Sequence, residues 1–317
     1  MLKVMVSTAL LAIALFPTSA VAADAATAAT GSNTTTTVDV GRFVRTDSFN
    51  AIKISPRGDY YAATVSLDDG ERTALVITRR SDHSIGATFV LGANTHVASF
   101  AWVNPERVLI SMAEKFGALD QPQATGELYA INADGSQVEF LVGQRLQGAG
   151  PGTRIQAKKA EHVAAFLVDD LPNDDRKVII SVSPFNSDPY TRAEMLDVYS
   201  GRRVQVASAP VRNARFVADN QGVVRFAVGM DTDNRERLYY RAGNGADWQL
   251  LNDEDETALK QWPIGFDAND RIAYLEAEQT SGPNAIIAFD IAGQTRKLVQ
   301  RDDNVDPAQV VYRNGSA

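Results

Sequence analysis

Histidine is the side chain best suited to move protons or bind a metal near neutral pH, and this chain of 317 residues has three of them: His83, His96 and His162. His83 follows Asp82 in a hairpin loop, His96 precedes a strand and His162 begins one, each in a different part of the chain. No two of them have metal-ligand spacing, so separate solvated or core histidines are expected. Asp231-Thr232-Asp233-Asn234 with Glu236 has the oxygen-rich opening of a calcium loop. Glu236 and Ala242 stand where such a loop needs its glycine and its closing carboxylate, so a polar hairpin loop is expected instead. Asp253-Glu254-Asp255-Glu256 reads as a solvated charge run. Gly148-Ala149-Gly150-Pro151-Gly152 lacks the lysine and hydroxyl of a phosphate cradle and reads as a loop insertion. Trp102, Trp248 and Trp262 lie inside or beside apolar strands, where packing between repeats explains them better than a binding surface does. No catalytic, cofactor-binding or metal-binding residue is assigned, and no cofactor is expected.

Composition narrows the field further. Lys plus Arg number 31 and Asp plus Glu 39, for a net charge of −8, and no basic cluster forms a footprint for nucleic acid. The absence of cysteine removes disulfides, thiolate zinc sites and cysteine nucleophiles. The first residues carry an address. Lys3 is followed by an apolar run from Val4 to Phe16, the helix-ending Pro17 and the small-x-small triplet Ala20-Val21-Ala22. The run falls short of the ~20 residues that a membrane span needs. Residues 1–22 are therefore read as a signal peptide cleaved after Ala22, residues 23–37 as a flexible Ala/Thr-rich leader, and residues 38–317 as the folded part. A periplasmic or secreted protein without a membrane span after signal cleavage is expected.

Beyond residue 38, short β-branched and aromatic runs alternate with Gly, Asn and Asp turns, and the pattern repeats. One hairpin type includes Leu128–Ile131 turning at Gly135 into Val138–Val142, and Ile286–Ile291 turning at Gly293 into Arg296–Val299. The turn glycines of this type stand at 86, 135, 201, 245 and 293. Ahead of each lies a second hairpin: Ala51–Ala63, Phe100–Ile110, Arg215–Phe226 and Ile264–Tyr274, with a degenerate copy in His162–Val168 and Val178–Val182. Two hairpins per repeat make four antiparallel strands in about 45–50 residues, the size of a propeller blade. The fold class expected is all-β, a β-propeller of about five four-stranded blades. Ala308–Tyr312 with the turn Arg313-Asn314-Gly315 reads as the start of an incomplete sixth blade, and hence as an open or truncated ring. Asp253–Lys260 is the one helical candidate, a turn or two at most.

Ser55-Pro56-Arg57-Gly58-Asp59-Tyr60-Tyr61-Ala62 resembles the Ser-Pro-Asp-Gly-x-x-x-Ala signature of propeller repeats in TolB-like proteins and prolyl oligopeptidase-type serine peptidases, with Arg57 in place of the usual Asp. The lead-in Val40–Arg45 resembles the start of exported peptidases of the second group. That resemblance implies a propeller that caps an active site and limits access by size. It also implies a following α/β-hydrolase domain, whose nucleophile elbow G-x-S-x-G has no counterpart here, because the sequence contains no G-x-S triplet. The expectation is a non-catalytic exported propeller, separated from its hydrolase, with a hydrolase domain, another exported protein or a peptide as partner. A free-standing TolB-like interaction module is the alternative.

Overall fold

The computed structural model describes residues 49–67, 70–117, 121–144, 160–186 and 189–308. The signal peptide, the leader, the lead-in Val40–Arg45, the Gly148–Gly152 insertion and the strand and turn expected over residues 309–315 lie outside the described residues. The described chain is built from strands because its runs are β-branched and aromatic, and turn residues interrupt them every few positions. Blade 1 comprises β1 (Phe49–Ile54), β2 (Tyr60–Leu67), β3 (Arg72–Arg79) and β4 (Ile85–Phe89). Blade 2 comprises β5 (Thr95–Asn104), β6 (Arg107–Glu114), β7 (Gln123–Asn132) and β8 (Glu139–Val142). Blade 3 is β9 (Val163–Asp169), β10 (Lys177–Pro184), β11 (Arg192–Asp197) and β12 (Arg203–Ser208). Blade 4 is β13 (Arg215–Ala218), β14 (Val224–Met230), β15 (Glu236–Tyr240) and β16 (Gln249–Asp253). Blade 5 is β17 (Gln261–Phe266), β18 (Ile272–Ala277), β19 (Ala285–Asp290) and β20 (Thr295–Arg301).

Within each blade, consecutive strands pair antiparallel. Blades 1 and 2 count as one eight-stranded sheet only because a single parallel bridge, Thr73 to His96, stitches β3 to β5. The lone helix α1 (Glu254–Thr257) is a single turn capped by Asp253, whose side chain accepts from the Asp255 amide. Among the described residues, no helix is long and apolar enough to cross a membrane.

The core lies between blades. Leu75, Ile77 and Phe89 of blade 1 meet Phe100, Ile110 and Tyr129 of blade 2. Leu109, Leu128 and Leu141 of blade 2 meet Val178, Ile180 and Leu196 of blade 3. Ile179 and Ala193 of blade 3 meet Phe216 and Val224 of blade 4. Phe226, Leu238 and Tyr240 of blade 4 meet Phe266, Leu275 and Phe289 of blade 5. Each such Val, Leu, Ile or Phe side chain contributes about 1.5–3 kcal/mol by leaving water. Aromatic pairs add geometry to area: Phe226 and Phe266 rings lie 5.5 Å apart and Tyr240 and Phe289 rings 6.2 Å, both across the last seam. Five blades are thus joined by four cores, and among the described residues none joins blade 5 to blade 1.

Three expectations from the sequence are corrected here. Gly86 is not in a turn but inside β4, where a Cβ would meet the Ala133 carbonyl oxygen at 2.3 Å. It is small because blades 1 and 2 touch there, while the turn itself is made by residues 81–84 with His83 at φ 58°. At the last hairpin Gln294, not Gly293, takes the left-handed conformation. Gly135, Gly201 and Gly245 do have the positive φ that their turns require. His96 lies within β5, not ahead of it.

Candidate binding face

The histidines stay apart, in blades 1, 2 and 3. The Ser84 hydroxyl beside His83 donates to Asp82 at 2.7 Å, not to an imidazole. His96 is buried, with Nδ1 3.0 Å from the Thr73 hydroxyl and Nε2 without a partner. Burial pulls its pKa down, helped by Lys115 and opposed by Glu71. The acidic runs are claimed by arginines. Asp231 pairs with Arg212, Asp233 and Asp253 with Arg237, and Glu254 with Arg235. The Arg237 hydrogen bond at Asp233 holds that carboxyl down at about 2. No group of acids or histidines fit to hold a metal occurs among the described residues. The tryptophans pack between blades: Trp102 stacks on Tyr60 of blade 1, and Trp248 stacks on Phe216 and donates to the Ser208 carbonyl of blade 3. Trp262 packs against the core between blades 4 and 5.

What the fold does gather is one face made of turns. The turn between the first and second strands of a blade shares an end with the turn between its third and fourth strands. The first kind has a common build. Ser55, Asp219 and Asp267 each donate their amide to a carbonyl four or five residues on, at 2.9 Å. Each side chain then accepts an amide of the same turn: Ser55 Oγ from Tyr60, Asp219 Oδ1 from Val223, and Asp267 Oδ1 from Ile272. This is why Ser or Asp opens the motif, and why Gly58 and Gly222 follow, each with positive φ. Asn104 and Asn220 reach sideways. Asn104 donates to the Asp175 carbonyl and the Tyr199 hydroxyl of blade 3, and Asn220 to Asp267 and Asp270 of blade 5.

Three cavities open on this face. One of about 470 Å³ is lined by Gly58–Tyr60, Arg79–Ser81 and Glu106. A second of about 290 Å³ is lined by Arg57, Asn104–Glu106, Asp175, Arg176 and Tyr199. Glu106 borders both, so the two adjoin across blades 1 to 3 as a groove with Glu106 at its middle. A third, about 230 Å³, lies between the Leu171–Asp174 loop and Asn220-Gln221. The groove has a stiff wall: Tyr199 is held between the guanidinium groups of Arg107 at 4.6 Å and Arg176 at 4.9 Å. Arg107 is fully buried and donates to the carbonyls of Val198 and Gln137 and to Asn132 Oδ1. Arg176 donates to both carboxylate oxygens of Asp197. Arg225 plays a similar part further along, donating to Asp219 and to the Tyr240 hydroxyl. Where β9 leaves for the Leu171 loop, burial pushes the carboxyls of Asp169 and Asp170 up. The Leu171 amide opposes the shift at Asp169, and Lys53 opposes it at Asp170.

Sequence reasoning did not foresee this groove. Its one local signal is Arg107 in the run Glu106-Arg107-Val108-Leu109; Arg225 and Arg241 stand in similar runs but in blade 4, away from the groove. A strand interior admits such a residue only when carbonyls or carboxylates meet it.

No family model matches the sequence, and no curated protein matches it. Solved structures do match. A prolyl endopeptidase from a structural and mechanistic study of two such enzymes aligns over 81% of this chain and 37% of its own, at 12% identity and TM-score 0.52. A puromycin hydrolase aligns over 81% and 40%, at 15% identity and TM-score 0.50. TolB from Acinetobacter baumannii aligns over 81% and 56%, at 14% identity and TM-score 0.42. The fold is a β-propeller. The chain spans 37–56% of the length of these structures.

Proposed function

We propose that this chain is a non-catalytic, exported propeller that holds a peptide or protein partner in the groove of its turn face and acts as the access-limiting cap of a prolyl oligopeptidase-type hydrolase. The observation that carries this reading is the groove from Arg79 and Arg80 past Glu106 to Arg57 and Arg176, walled by the Arg107–Tyr199–Arg176 stack. Guanidinium groups bind carboxylates in a fixed geometry, and backbone turns beside them offer further hydrogen bonds. The lining sets Arg57, Arg79, Arg80 and Arg176 against Asp59, Glu106 and Asp175, an excess of one positive charge that suits an extended peptide bearing acidic side chains or a free carboxylate. The similarity to a prolyl endopeptidase and a puromycin hydrolase supports the cap role, and the Lys3 to Ala22 segment supports export.

The test is fluorescence anisotropy with two labelled decapeptides of one length, one rich in Glu and one rich in Lys, against the purified chain. The Glu-rich peptide binds, and the double variant Arg57→Glu, Arg176→Glu weakens it by about tenfold or more. Equal binding of both peptides, or no binding at ~1 mM, overturns the reading.

A further inference from the structure

The two outer faces of the blade row, one bare and one half-buried, belong to one another chemically. Between adjacent blades, the later face of one always meets the earlier face of the next. Among the described residues, strand register identifies the two faces that lack this partner. On blade 1, Phe49 pairs with Val65, Ile52 with Ala63 and Ile54 with Tyr61, and Ile85 pairs with Thr78; all of these share the face turned away from blade 2. Lys53, on the opposite face, reaches the Phe100 carbonyl of blade 2. Phe49, Ile52, Ile54 and Ile85 are 52–67% exposed, so one face carries four large, bare apolar side chains.

On blade 5 the face turned away from blade 4 carries Ile272, Tyr274, Ile286 and Ala288. Its neighbours in sequence Ala273, Leu275 and Phe289 point into the core with blade 4. The charges around the two faces differ: two arginines mark the first, and two carboxylates with Lys297 mark the second. Arg80, stacked on Tyr61 at 5.4 Å, marks the turn end of the blade 1 face, and Arg72, level with Leu67, marks the far end. Asp290, level with Ile272, marks the turn end of the blade 5 face, and Glu276 lies towards its far end. Set together as neighbouring blades are, Asp290 falls beside Arg80, and Glu276 lies toward Arg72. Two blade 1 faces set together would instead bring arginine against arginine.

We propose that these faces are the two halves of a head-to-tail interface between copies of this chain, the later face of blade 5 seating on the earlier face of blade 1 of a second copy. The contact is heterologous, so each pair leaves one face of each kind free, and association continues as concentration rises. The occupant is argued from the matched faces and the charges at their edges; Arg80 is shared with the peptide groove, while Phe49, Ile52, Ile54 and the blade 5 face are not.

Sedimentation velocity on the full chain tests this, from about 1 to 100 µM, the range where modest interfaces titrate. The wild type forms species larger than a monomer that grow with concentration. Ile54→Glu spoils only the blade 1 face and Tyr274→Glu only the blade 5 face, so each variant alone is monomeric. Their equimolar mixture forms a 1:1 dimer and nothing larger, because one intact face of each kind remains. Circular dichroism establishes that each variant folds, with Ile52→Glu and Ile286→Glu as replacements if either does not. A wild type that stays monomeric at the highest concentration overturns the proposal. So does a single variant that self-associates like the wild type, or a mixture that stays monomeric.

Discussion

The interior blades and the end blades use the same four-strand plan with different burial. In β14 of blade 4, the run from Val224 to Gly229 is buried at every position, and β6 of blade 2 is buried at all but two. In β18 of blade 5, burial alternates strictly: Ala273, Leu275 and Ala277 are buried, while Ile272, Tyr274 and Glu276 are half-exposed. In β1 and β20 every residue is exposed. A strand covered on both faces reads as a continuous apolar run, and one covered on a single face alternates. Blade 5 mixes Glu276, Asp290 and Lys297 with the half-buried Ile272, Tyr274 and Ile286 on its open side. The open side of blade 1 keeps Phe49, Ile52, Ile54 and Ile85, the composition of a blade with neighbours on both sides.

Substitutions test this contrast. The largest effect belongs to the interior. Phe226→Ala, at 0% exposure in the seam between blades 4 and 5, costs about 3–5 kcal/mol of unfolding free energy in urea titration. Ile52→Ala on the open face of blade 1 costs less than about 0.5 kcal/mol in the same assay. Arg107→Met comes next. It leaves the Val198 and Gln137 carbonyls without their guanidinium partner and removes one side of the Tyr199 stack. The expected loss is about 3 kcal/mol, measured as a shift in the urea midpoint. Gly86→Ala follows at about 1–3 kcal/mol, because the new Cβ must displace the Ala133 carbonyl. Gly243→Ala, with open space around it, is within about 0.5 kcal/mol of the wild type.

A smaller effect concerns pH at the seam of blades 1 and 2. Burial holds the His96 pKa below its ordinary 6.5, with Lys115 adding to the shift and Glu71 opposing it. Above 6.5 neither the folded nor the unfolded chain carries that proton, and the seam keeps its full stability. As pH falls below 6.5, the unfolded chain takes up a proton that the buried imidazole refuses, and stability declines until the folded pKa is passed. Urea midpoints at about pH 7.5 and 5.5 check the sign, and His96→Gln removes its share of the decline.

Much of the architecture was legible in local patterns. The Ser55-Pro56-Arg57-Gly58 turn, the hairpin over Ile264–Tyr274 and the helical turn after Asp253 are all set by residues near one another in sequence, and the structure has them as expected. The expected packing role of Trp102 and Trp248 holds as well, since a large aromatic beside a strand has little to bury against except the next blade. The groove was not legible. It joins Arg57, Glu106 and Tyr199, which come from three blades, and no local pattern records which turns a stack of sheets will align. Gly86 misled for the same reason: its smallness answers to Ala133, 47 positions away in the chain, and not to its own turn.

Hydrogen exchange read by mass spectrometry, at a concentration dilute enough to keep copies apart, tests most directly whether the five blades form an open row. The account predicts that amides of β1 and β20 exchange first, and that those of β6 and β14, covered on both faces, exchange last and together with global unfolding. Protection of β1 and β20 equal to that of β6 and β14 would mean that blades 1 and 5 have covered outer faces, and would contradict it.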